Sequence, residues 1–256
     1  MAKALIGYTG FVGSNLKEQI DFDCCYNSTN IGDIRGKRFD RVYCAGARGT
    51  KWYANQNPNE DFSSVLNLLE SLHTVVCEKM ILLSTIGVYD NLDGVYEDYE
   101  IDMQKLPPYG EHRLLLEMYV RRHFDALIVR LPSIFGKGLK KNFIYDAIRN
   151  DYEYAPNPAS TMQFYCLDNL SRDIDIALAS NLKTLNISSE PVSITEVCTK
   201  VFDKDPNTLP TPALVHYDMK SKHSHHWETE TKYLYTKDKV IEEMRTFVAM
   251  ERKGVK

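Results

Sequence analysis

Short apolar runs recur along the chain, and most are followed by a polar turn and then by a stretch with helical periodicity. The runs that predict strands span residues 5–6, 22–26, 41–45, 80–83 and 126–130. Amphipathic stretches over residues 14–20, 58–77 and 109–124 predict helices, because their apolar side chains recur every three or four positions. This alternation of strand and helix predicts an α/β fold built on a mostly parallel sheet.

Two departures from this alternation bear on the domain organisation. Only fourteen steps separate Asn27 from Arg41, too few for a helix and a further full strand, and Arg48, Lys51 and Trp52 then follow the third strand in a loop. Beyond residue 136 the pattern loosens, and further elements are predicted over 163–168, 170–179, 185–187, 194–202 and 237–250. We therefore expect a domain over residues 1–136 and a smaller lobe over residues 137–256, interleaved with the end of the sheet.

The first apolar run ends in three glycines, Gly7, Gly10 and Gly13, at the spacing G-x-x-G-x-x-G. The first glycine permits a sharp turn, the second lets backbone N–H groups approach a pyrophosphate, and the third lets the helix pack closely on its strand. The N-terminus of the helix offers unpaired N–H donors to the phosphates. This arrangement predicts a Rossmann-like, doubly wound sheet that binds a dinucleotide, with a tight turn that binds nothing as the alternative.

The end of the second strand bears on the choice of cofactor. In NAD-binding versions of this architecture an acid about 20 residues past the glycines holds the adenosine ribose, and here Asn27 takes that place. A carboxylate would repel a 2′-phosphate, whereas Asn27, Ser28 and Thr29 are neutral donors, with Arg35 and Lys37 not far beyond. The sequence favours NADP, and a polar turn that admits either NAD or NADP is the alternative.

Composition and charge exclude several classes of protein. The 256 residues are 43% hydrophobic with a formal net charge of -4, which predicts neither a nucleic-acid nor a membrane partner. With no leader and no bilayer-length apolar stretch, we expect a cytoplasmic protein. The six cysteines lack C-x-x-C spacing, which predicts reduced core thiols. His223, His225 and His226 have no carboxylate or cysteine at ligand spacing, so they predict a solvent-facing turn, with a metal-binding site as the weaker alternative.

Candidate chemistry lies at the end of one strand, in Ser84-Thr85, and at the start of one helix, in Tyr109-Gly110-Glu111-His112-Arg113. Together with the glycine turn, these segments resemble the extended short-chain dehydrogenase/reductase family, whose NAD(P)-dependent epimerase/dehydratase branch mostly acts on nucleotide sugars. The resemblance covers roughly residues 3–200 and also includes residues 44–47, 88–89, 130–136 and 163–168.

The resemblance implies a role for each matching residue. Tyr109 stands where the family has the tyrosine of Y-x-x-x-K, the general acid/base, and Thr85 matches the Ser/Thr that hydrogen-bonds the substrate oxygen. A homodimer that pairs through residues 58–77 and 109–124 is also implied. The residues implied in cofactor binding are Gly7, Thr9, Gly10, Phe11, Val12, Gly13, Asn27, Ser28, Ala45, Gly46, Ala47, Tyr109 and Arg113.

The chain departs from the family four residues after Tyr109, where Arg113 replaces the lysine. Positions i and i+4 share a helix face, so this cation and the phenol point the same way. A cation about 4 Å from a phenol, at an effective dielectric of about 20, favours the phenolate by about 4 kcal/mol. Arginine keeps that charge and can hydrogen-bond a nicotinamide ribose, but it stays protonated and cannot relay a proton as lysine can.

The function predicted is that of an NAD(P)-dependent oxidoreductase or epimerase. Hydride would pass between a carbon of a nucleotide-sugar-like substrate and the nicotinamide, while Tyr109 moves the proton and Thr85 orients the oxygen. Reduction, epimerisation and dehydration share this step, and by analogy with the family the lack of a carboxylate beside Thr85 disfavours dehydration. The alternative is an NADP(H)-binding sensor or scaffold without turnover, which the Arg113 substitution favours.

Overall fold

The computed structural model of the chain describes residues 2–254. Within them the strands are β1 (Lys3–Ile6), β2 (Cys24–Tyr26), β3 (Arg38–Cys44), β4 (Val76–Thr85), β5 (Asp93–Val95), β6 (Ala126–Leu131), β7 (Ser133–Phe135), β8 (Thr161–Met162), β9 (Phe164–Cys166), β10 (Thr184–Asn186), β11 (Val192–Ser193) and β12 (Asp218–Met219). The α-helices are α1 (Phe11–Gln19), α2 (Lys51–Gln56), α3 (Pro58–Leu72), α4 (Pro108–His123), α5 (Phe143–Ile148), α6 (Leu170–Ala179), α7 (Ile194–Val197) and α8 (Lys237–Gly254).

The central sheet has six strands in the order β10-β6-β4-β3-β1-β2. β1 pairs in parallel with β2 and β3, β3 with β4, and β4 with β6. The predicted α/β fold with a mostly parallel, doubly wound sheet is therefore confirmed. The strand order reverses between β1 and β3, so their carboxyl ends form the switch point at which such sheets bind ligands.

Both faces of the sheet are buried, because successive side chains of a strand point to opposite sides. On one face, alternate strand residues pack with α3 and α4 in a single apolar cluster that includes Ala4, Ile6, Val42, Cys44, Met80, Leu82, Ile128, Val65, Leu68, Leu72, Leu116 and Val120. The intervening residues Leu5, Tyr43 and Ile81 are at most 1% exposed. The strands thus form a rigid platform for the loops at their carboxyl ends.

Several element boundaries differ from the sequence-based expectation. α3 ends at Leu72 rather than at residue 77, and β4 already begins at Val76. The β-branched pair Val75-Val76 prefers the extended conformation, although its apolar character continues the helical pattern. Residues 51–56, expected in a loop, form α2. Between β2 and β3 there is only the 3₁₀ turn Ile31–Ile34, as the short segment predicts.

The chain divides into two compact units. The first comprises the segment up to Asn91, Asp98–Leu131 and Leu170–Leu185, and it contains the central sheet up to Leu185. The second comprises Leu92–Glu97, Pro132–Asn169 and the chain from Asn186 onward, and its described strands form the two-stranded pairs β11-β8, β12-β5 and β7-β9. The first unit thus includes α6 and most of β10, which follow residue 136 in the chain.

A buried ion pair connects α4 to the sheet, between Glu117 of α4 and Arg130 of β6. Glu117 is 0% exposed and accepts hydrogen bonds from Arg130 Nη2 at 2.7 Å, Arg130 Nε at 3.1 Å and Ser84 Oγ at 2.6 Å. Arg130 Nη1 donates to the Tyr89 hydroxyl at 2.7 Å. Burial lowers the pKa of Arg130, but the Glu117 carboxylate outweighs burial and raises it. Each charge therefore depends on the other inside the core.

Replacing Glu117 by Gln removes one charge of this pair and leaves Arg130 buried without a counter-ion. We expect the free energy of unfolding to fall by about 3–5 kcal/mol, the usual effect of breaking a buried pair. Urea unfolding at pH 7, followed by circular dichroism, measures the change. Glu70→Gln, at an exposed position of α3, is the matched control and should stay within about 0.5 kcal/mol of wild type. Similar stabilities for the two variants would contradict the role given to Glu117.

Candidate active site

The glycine turn joins β1 to α1 through contacts that exclude side chains. Gly7 has a φ of +85°, and its N–H donates to the Tyr26 carbonyl at 2.7 Å. A Cβ on Gly7 would lie 2.3 Å from the Ala45 oxygen, and a Cβ on Gly13 would lie 2.1 Å from the Gly7 oxygen. The fold therefore requires glycine at both positions.

The first turn of α1 is suited to an anion. Its N-cap is Gly10, which has no side chain that could accept a hydrogen bond from the first N–H groups of α1. The first N–H groups of a helix also have no partner within the helix. Thr9 and Gly10 are exposed, while Phe11 and Val12 are half-buried. Because N–H donors and the helix dipole favour negative charge, this turn fits the pyrophosphate of a dinucleotide.

Small residues at the end of β3 lie beside the glycine turn. The Ala45 N–H donates to the Ile6 carbonyl at 2.9 Å, and a Cβ on Gly46 would lie 2.9 Å from Ile6 Cγ2. Ala45, Gly46 and Ala47 are all half-buried. These residues therefore stand at the switch point between β1 and β3, where a cofactor is expected to cross the strand ends.

The end of β2 carries the polar turn expected at the adenosine ribose. Asn27 Nδ2 donates to the Tyr8 hydroxyl at 3.3 Å, which links this turn to the glycine turn. Asn27 Oδ1 accepts from the Thr29 N–H at 2.9 Å, and Ser28 is exposed. Lys17 Nζ lies 5.0 Å from the centroid of the Tyr8 ring. The neutral Asn27 thus stands where NAD-binding sites place a carboxylate, and the Lys17 ammonium lies beside the ring of its partner Tyr8.

Tyr109 and Thr85 lie together beside Gly87. Thr85 ends β4, and its Oγ1 accepts a hydrogen bond from the Gly87 N–H at 3.0 Å. A Cβ on Gly87 would lie 2.9 Å from Tyr109 Cε1 and 3.3 Å from Thr85 Oγ1, so both groups border this glycine. A Cβ on Gly110 would lie 2.2 Å from the Gly87 oxygen. Two glycines therefore allow the first turn of α4 to approach the end of β4.

Arg113 is 3% exposed, and its guanidinium is bonded within the protein. Both Nη groups donate to the Asp61 carboxylate, with Nη2 2.9 Å from Oδ1, and Nη2 also donates to the Arg48 carbonyl. Arg113 Cζ lies 4.4 Å from the centroid of the Tyr109 ring. The predicted hydrogen bond to a ribose would therefore need either an Nη donor that this structure uses for Asp61 and Arg48, or Nε, which is buried and has no hydrogen-bond partner among the described residues.

The sequence pattern did not single out Asp61, the partner of Arg113. Asp61 also contacts His112 Nδ1 at 2.7 Å. Burial raises the pKa of the Asp61 carboxyl, but hydrogen bonds from Arg113 and His112 outweigh burial and lower it. A signal was present, because Asp61 shares the buried face of α3 with Val65 and Leu68. A carboxylate on an apolar helix face implies a buried cation opposite it.

The histidine cluster lies in the second unit, at the 3₁₀ turn Ser224–Trp227. The rings of His225 and His226 are 4.0 Å apart, and burial together with His225 and His223 lowers the pKa of His226. In residues 2–254, no group of three or more His, Cys, Asp or Glu side chains is placed to hold a metal ion.

None of the helices described in residues 2–254 has the length and apolar character needed to cross a bilayer.

The sequence profile of the NAD dependent epimerase/dehydratase family matches residues 20–158, more than half of the 256 residues. The chain belongs to this family. This match confirms the resemblance noted in the sequence. It also confirms the predicted nicotinamide cofactor, because the family is NAD-dependent. The glycine turn precedes the matched range, and its fit to a pyrophosphate rests on the geometry of Gly7 and Gly13. No curated protein sequence matches the chain.

Solved structures share the fold of this epimerase/dehydratase-family chain over nearly its whole length. UDP-N-acetylglucosamine 4-epimerase from Methanobrevibacter ruminantium M1, in complex with UDP-N-acetylmuramic acid, has a TM-score of 0.75 at 15% identity, covering 99% of this chain and 98% of that one. RMD from Pseudomonas aeruginosa, complexed with NADPH, has a TM-score of 0.75 at 14% identity and 99% coverage of both chains. UDP-glucose 4-epimerase from Thermotoga maritima, with UDP-glucose, has a TM-score of 0.70 at 16% identity and covers 100% of both.

Replacing Gly13 by Ala tests the glycine turn. The added methyl group would meet the Gly7 oxygen at 2.1 Å, so we expect α1 to move away from β1. The variant should lose the rise in melting temperature that a nicotinamide dinucleotide gives to wild type. Gly32→Ala is the control, because its Cβ would have no neighbour within 4 Å. A normal ligand-induced shift in the Gly13 variant would contradict the assignment.

Proposed function

We propose that this family member is an NAD(P)-dependent oxidoreductase or epimerase that acts on a nucleotide sugar. One observation carries the proposal: the Tyr109 ring and the Thr85 hydroxyl both border Gly87, in the same unit as the glycine turn. A phenol beside a hydroxyl at a strand end can act on one substrate oxygen. Tyr109 is therefore the proposed acid/base, and Thr85 the group that orients the substrate.

The chemistry proposed for these residues is a proton transfer coupled to hydride transfer. The Gly87 N–H donates to Thr85 Oγ1 and fixes that oxygen, and the Thr85 O–H donates to the substrate oxygen. In reduction, Tyr109 gives its proton to the carbonyl oxygen as the carbonyl carbon gains hydride. In oxidation, Tyr109 takes the hydroxyl proton back. The nicotinamide, when bound, supplies or accepts the hydride.

The substrate class and the reaction type are proposed from the relatives and the site. Structures of the same fold were solved with UDP-N-acetylmuramic acid and with UDP-glucose. Ile86 and Gly87 follow Thr85, so no carboxylate adjoins it in sequence. Epimerisation or reduction of a nucleotide sugar is therefore favoured over dehydration. In this scheme residues 1–136 bind the dinucleotide, and residues 137–256 supply the substrate lobe.

The cofactor form and the oligomeric state complete the proposal. Asn27 and the nearby Lys17 favour NADP, because they tolerate the 2′-phosphate that a carboxylate would repel.

A homodimer through α3 and α4 is supported by apolar side chains exposed on these helices: Phe62 at 38%, Leu66 at 40% and Met118 at 52%. Sedimentation equilibrium measures whether the particle has the mass of two chains.

A second candidate function is cofactor binding without turnover. The observation that favours it is the pairing of Arg113 with Asp61, because a neutral pair occupies the position at which the family has a lysine. A sensor or scaffold would keep the glycine turn and would not need proton transfer at Tyr109. Both functions predict dinucleotide binding, so binding does not distinguish them.

Dinucleotide binding and Tyr109→Phe together test the proposed enzyme. We expect NADPH to raise the melting temperature more than NADH does, with a stabilisation of about 2.7 kcal/mol at about 100 times the dissociation constant. Tyr109→Phe should still show a shift, although a smaller one, because the glycine turn remains while the hydroxyl contact to the nicotinamide half of the cofactor is lost. The variant should reduce turnover of the best substrate among UDP-, GDP- and dTDP-sugars at least about 100-fold, because the acid/base is lost. The proposal fails if neither dinucleotide changes the melting temperature.

Arg113→Lys separates the enzyme from the protein without turnover. An enzyme adapted to the Asp61–Arg113 pair should lose activity or change little, because lysine cannot bridge both Asp61 oxygens. A relative that lost turnover with the lysine should gain nucleotide-sugar-dependent oxidation of NADPH or reduction of NADP. Absorbance at 340 nm measures either change. Lys51→Arg, on the exposed face of α2, is the control and should leave activity unchanged.

A further inference from the structure

We propose that Asp61 is a positioning residue that acts through Arg113 to hold the Tyr109 ring. The inference rests on the proposed function, because it places Tyr109 at the nicotinamide half of the cofactor site. Asp61 touches neither substrate nor cofactor in this scheme. Its effect passes through the guanidinium that it binds.

Both Nη groups of Arg113 are bonded within the protein, and its Nε is buried. Nη1 and Nη2 donate to the two oxygens of Asp61, and Nη2 also donates to the Arg48 carbonyl. Nε is buried and has no hydrogen-bond partner among the described residues. With the side chain only 3% exposed, no N–H group of Arg113 is open to a ribose. Arg113 therefore reaches the chemistry through Tyr109.

The Tyr109 ring depends on this guanidinium for one of its contacts. The ring is 8% exposed, borders Gly87 and has Arg113 Cζ 4.4 Å from its centroid. A guanidinium keeps its place over a ring only if its position is fixed, and the bidentate carboxylate of Asp61 fixes it. A guanidinium released from Asp61 would lose that orientation, and the ring would lose a support.

The segment after β3 holds the first turn of α4 at two further points. Asn55 Oδ1, in α2, accepts a hydrogen bond from the Tyr109 N–H at 3.0 Å. The Arg48 carbonyl accepts from Arg113 Nη2, and Asp61 completes the set from α3. Since this segment continues directly from residues 45–47, the end of β3 proposed to meet the cofactor is tied to the turn that carries the tyrosine.

Asp61→Asn tests the inference, because it removes the charge and keeps the side-chain shape. Calorimetry measures the affinity for NADPH and for 2′-phospho-ADP, a fragment that lacks both the nicotinamide and its ribose; NADH and ADP replace them if wild type prefers NADH. We expect D61N to bind the dinucleotide about tenfold more weakly, which corresponds to the loss of one hydrogen bond between Tyr109 and the nicotinamide half of the cofactor. Affinity for the fragment should change less than about twofold. A residue that only stabilised the fold would weaken both ligands by the same factor.

Two further variants serve as controls. Glu60→Gln removes a carboxylate one residue earlier, where Glu60 pairs with Arg48 and its side chain is 53% exposed, and should leave both affinities within about twofold of wild type. The double variant D61N/R113Q leaves neither charge of the pair. Its melting temperature should exceed that of D61N, while its ratio of dinucleotide to fragment affinity stays lowered. This variant also decides the matter if D61N does not fold.

The outcomes separate the inference from the proposed function. If wild type binds the dinucleotide but D61N has the wild-type ratio of dinucleotide to fragment affinity, the positioning role alone is overturned. If D61N does not fold, the same ratio in the double variant decides. Equal weakening of both ligands leaves the ratio unchanged and has the same meaning. Wild-type protein that binds neither ligand would overturn the proposed function and this inference with it.

Discussion

A charge in an apolar interior must meet an opposite charge, and α4 satisfies this requirement twice. Arg113 faces Asp61 of α3, and Glu117, one turn further along, faces Arg130 of β6. All four residues are at most 3% exposed. A shift of α4 by one residue would leave buried charges without partners, which is far more costly than a shift between apolar surfaces. The two pairs therefore fix the rotation and register of α4, and the position of Tyr109 follows from them.

Close backbone contact is the second constraint, and glycine pairs meet it at both halves of the candidate site. Gly7 lets the turn after β1 approach the end of β3, and Gly13 lets α1 approach the Gly7 carbonyl, while Gly87 and Gly110 bring α4 against the end of β4. A Cβ at any of the four would lie within 2.9 Å of another atom. The ion pairs orient α4 from its buried side, and the glycines set how near its first turn comes to Thr85.

The strands and the switch point were predictable because their signals are local. A strand buried on both faces is a short apolar run, and the missing crossover between β2 and β3 follows from the length of the segment. The end of α3 was not predictable, because Val75 and Val76 extend the apolar pattern past Leu72 while their β-branched side chains already favour β4.

The candidate site was predictable as far as its motifs are contiguous. Tyr109, Thr85 and the glycine turn could be named from the sequence, since each lies in a short segment with its own spacing. The state of Arg113 could not, because the position of Asp61 on an apolar helix face implies a buried cation but does not say which one, and the two residues are 52 positions apart. The helix pattern alone predicts an open cation at Arg113, whereas tertiary packing makes it half of a neutral pair.

The pairing also explains why arginine occupies this position. The lowered pKa of Asp61 means that the contribution of the pair to stability is present above the unfolded-state pKa of about 4 and is lost only as the pH falls below it. At neutral pH the carboxylate is thus ionised and needs a partner that binds both of its oxygens. A planar guanidinium does so, whereas a lysine ammonium is a point charge without that fork. The departure from Y-x-x-x-K is therefore one half of a two-residue feature, whose other half is Asp61 on the buried face of α3.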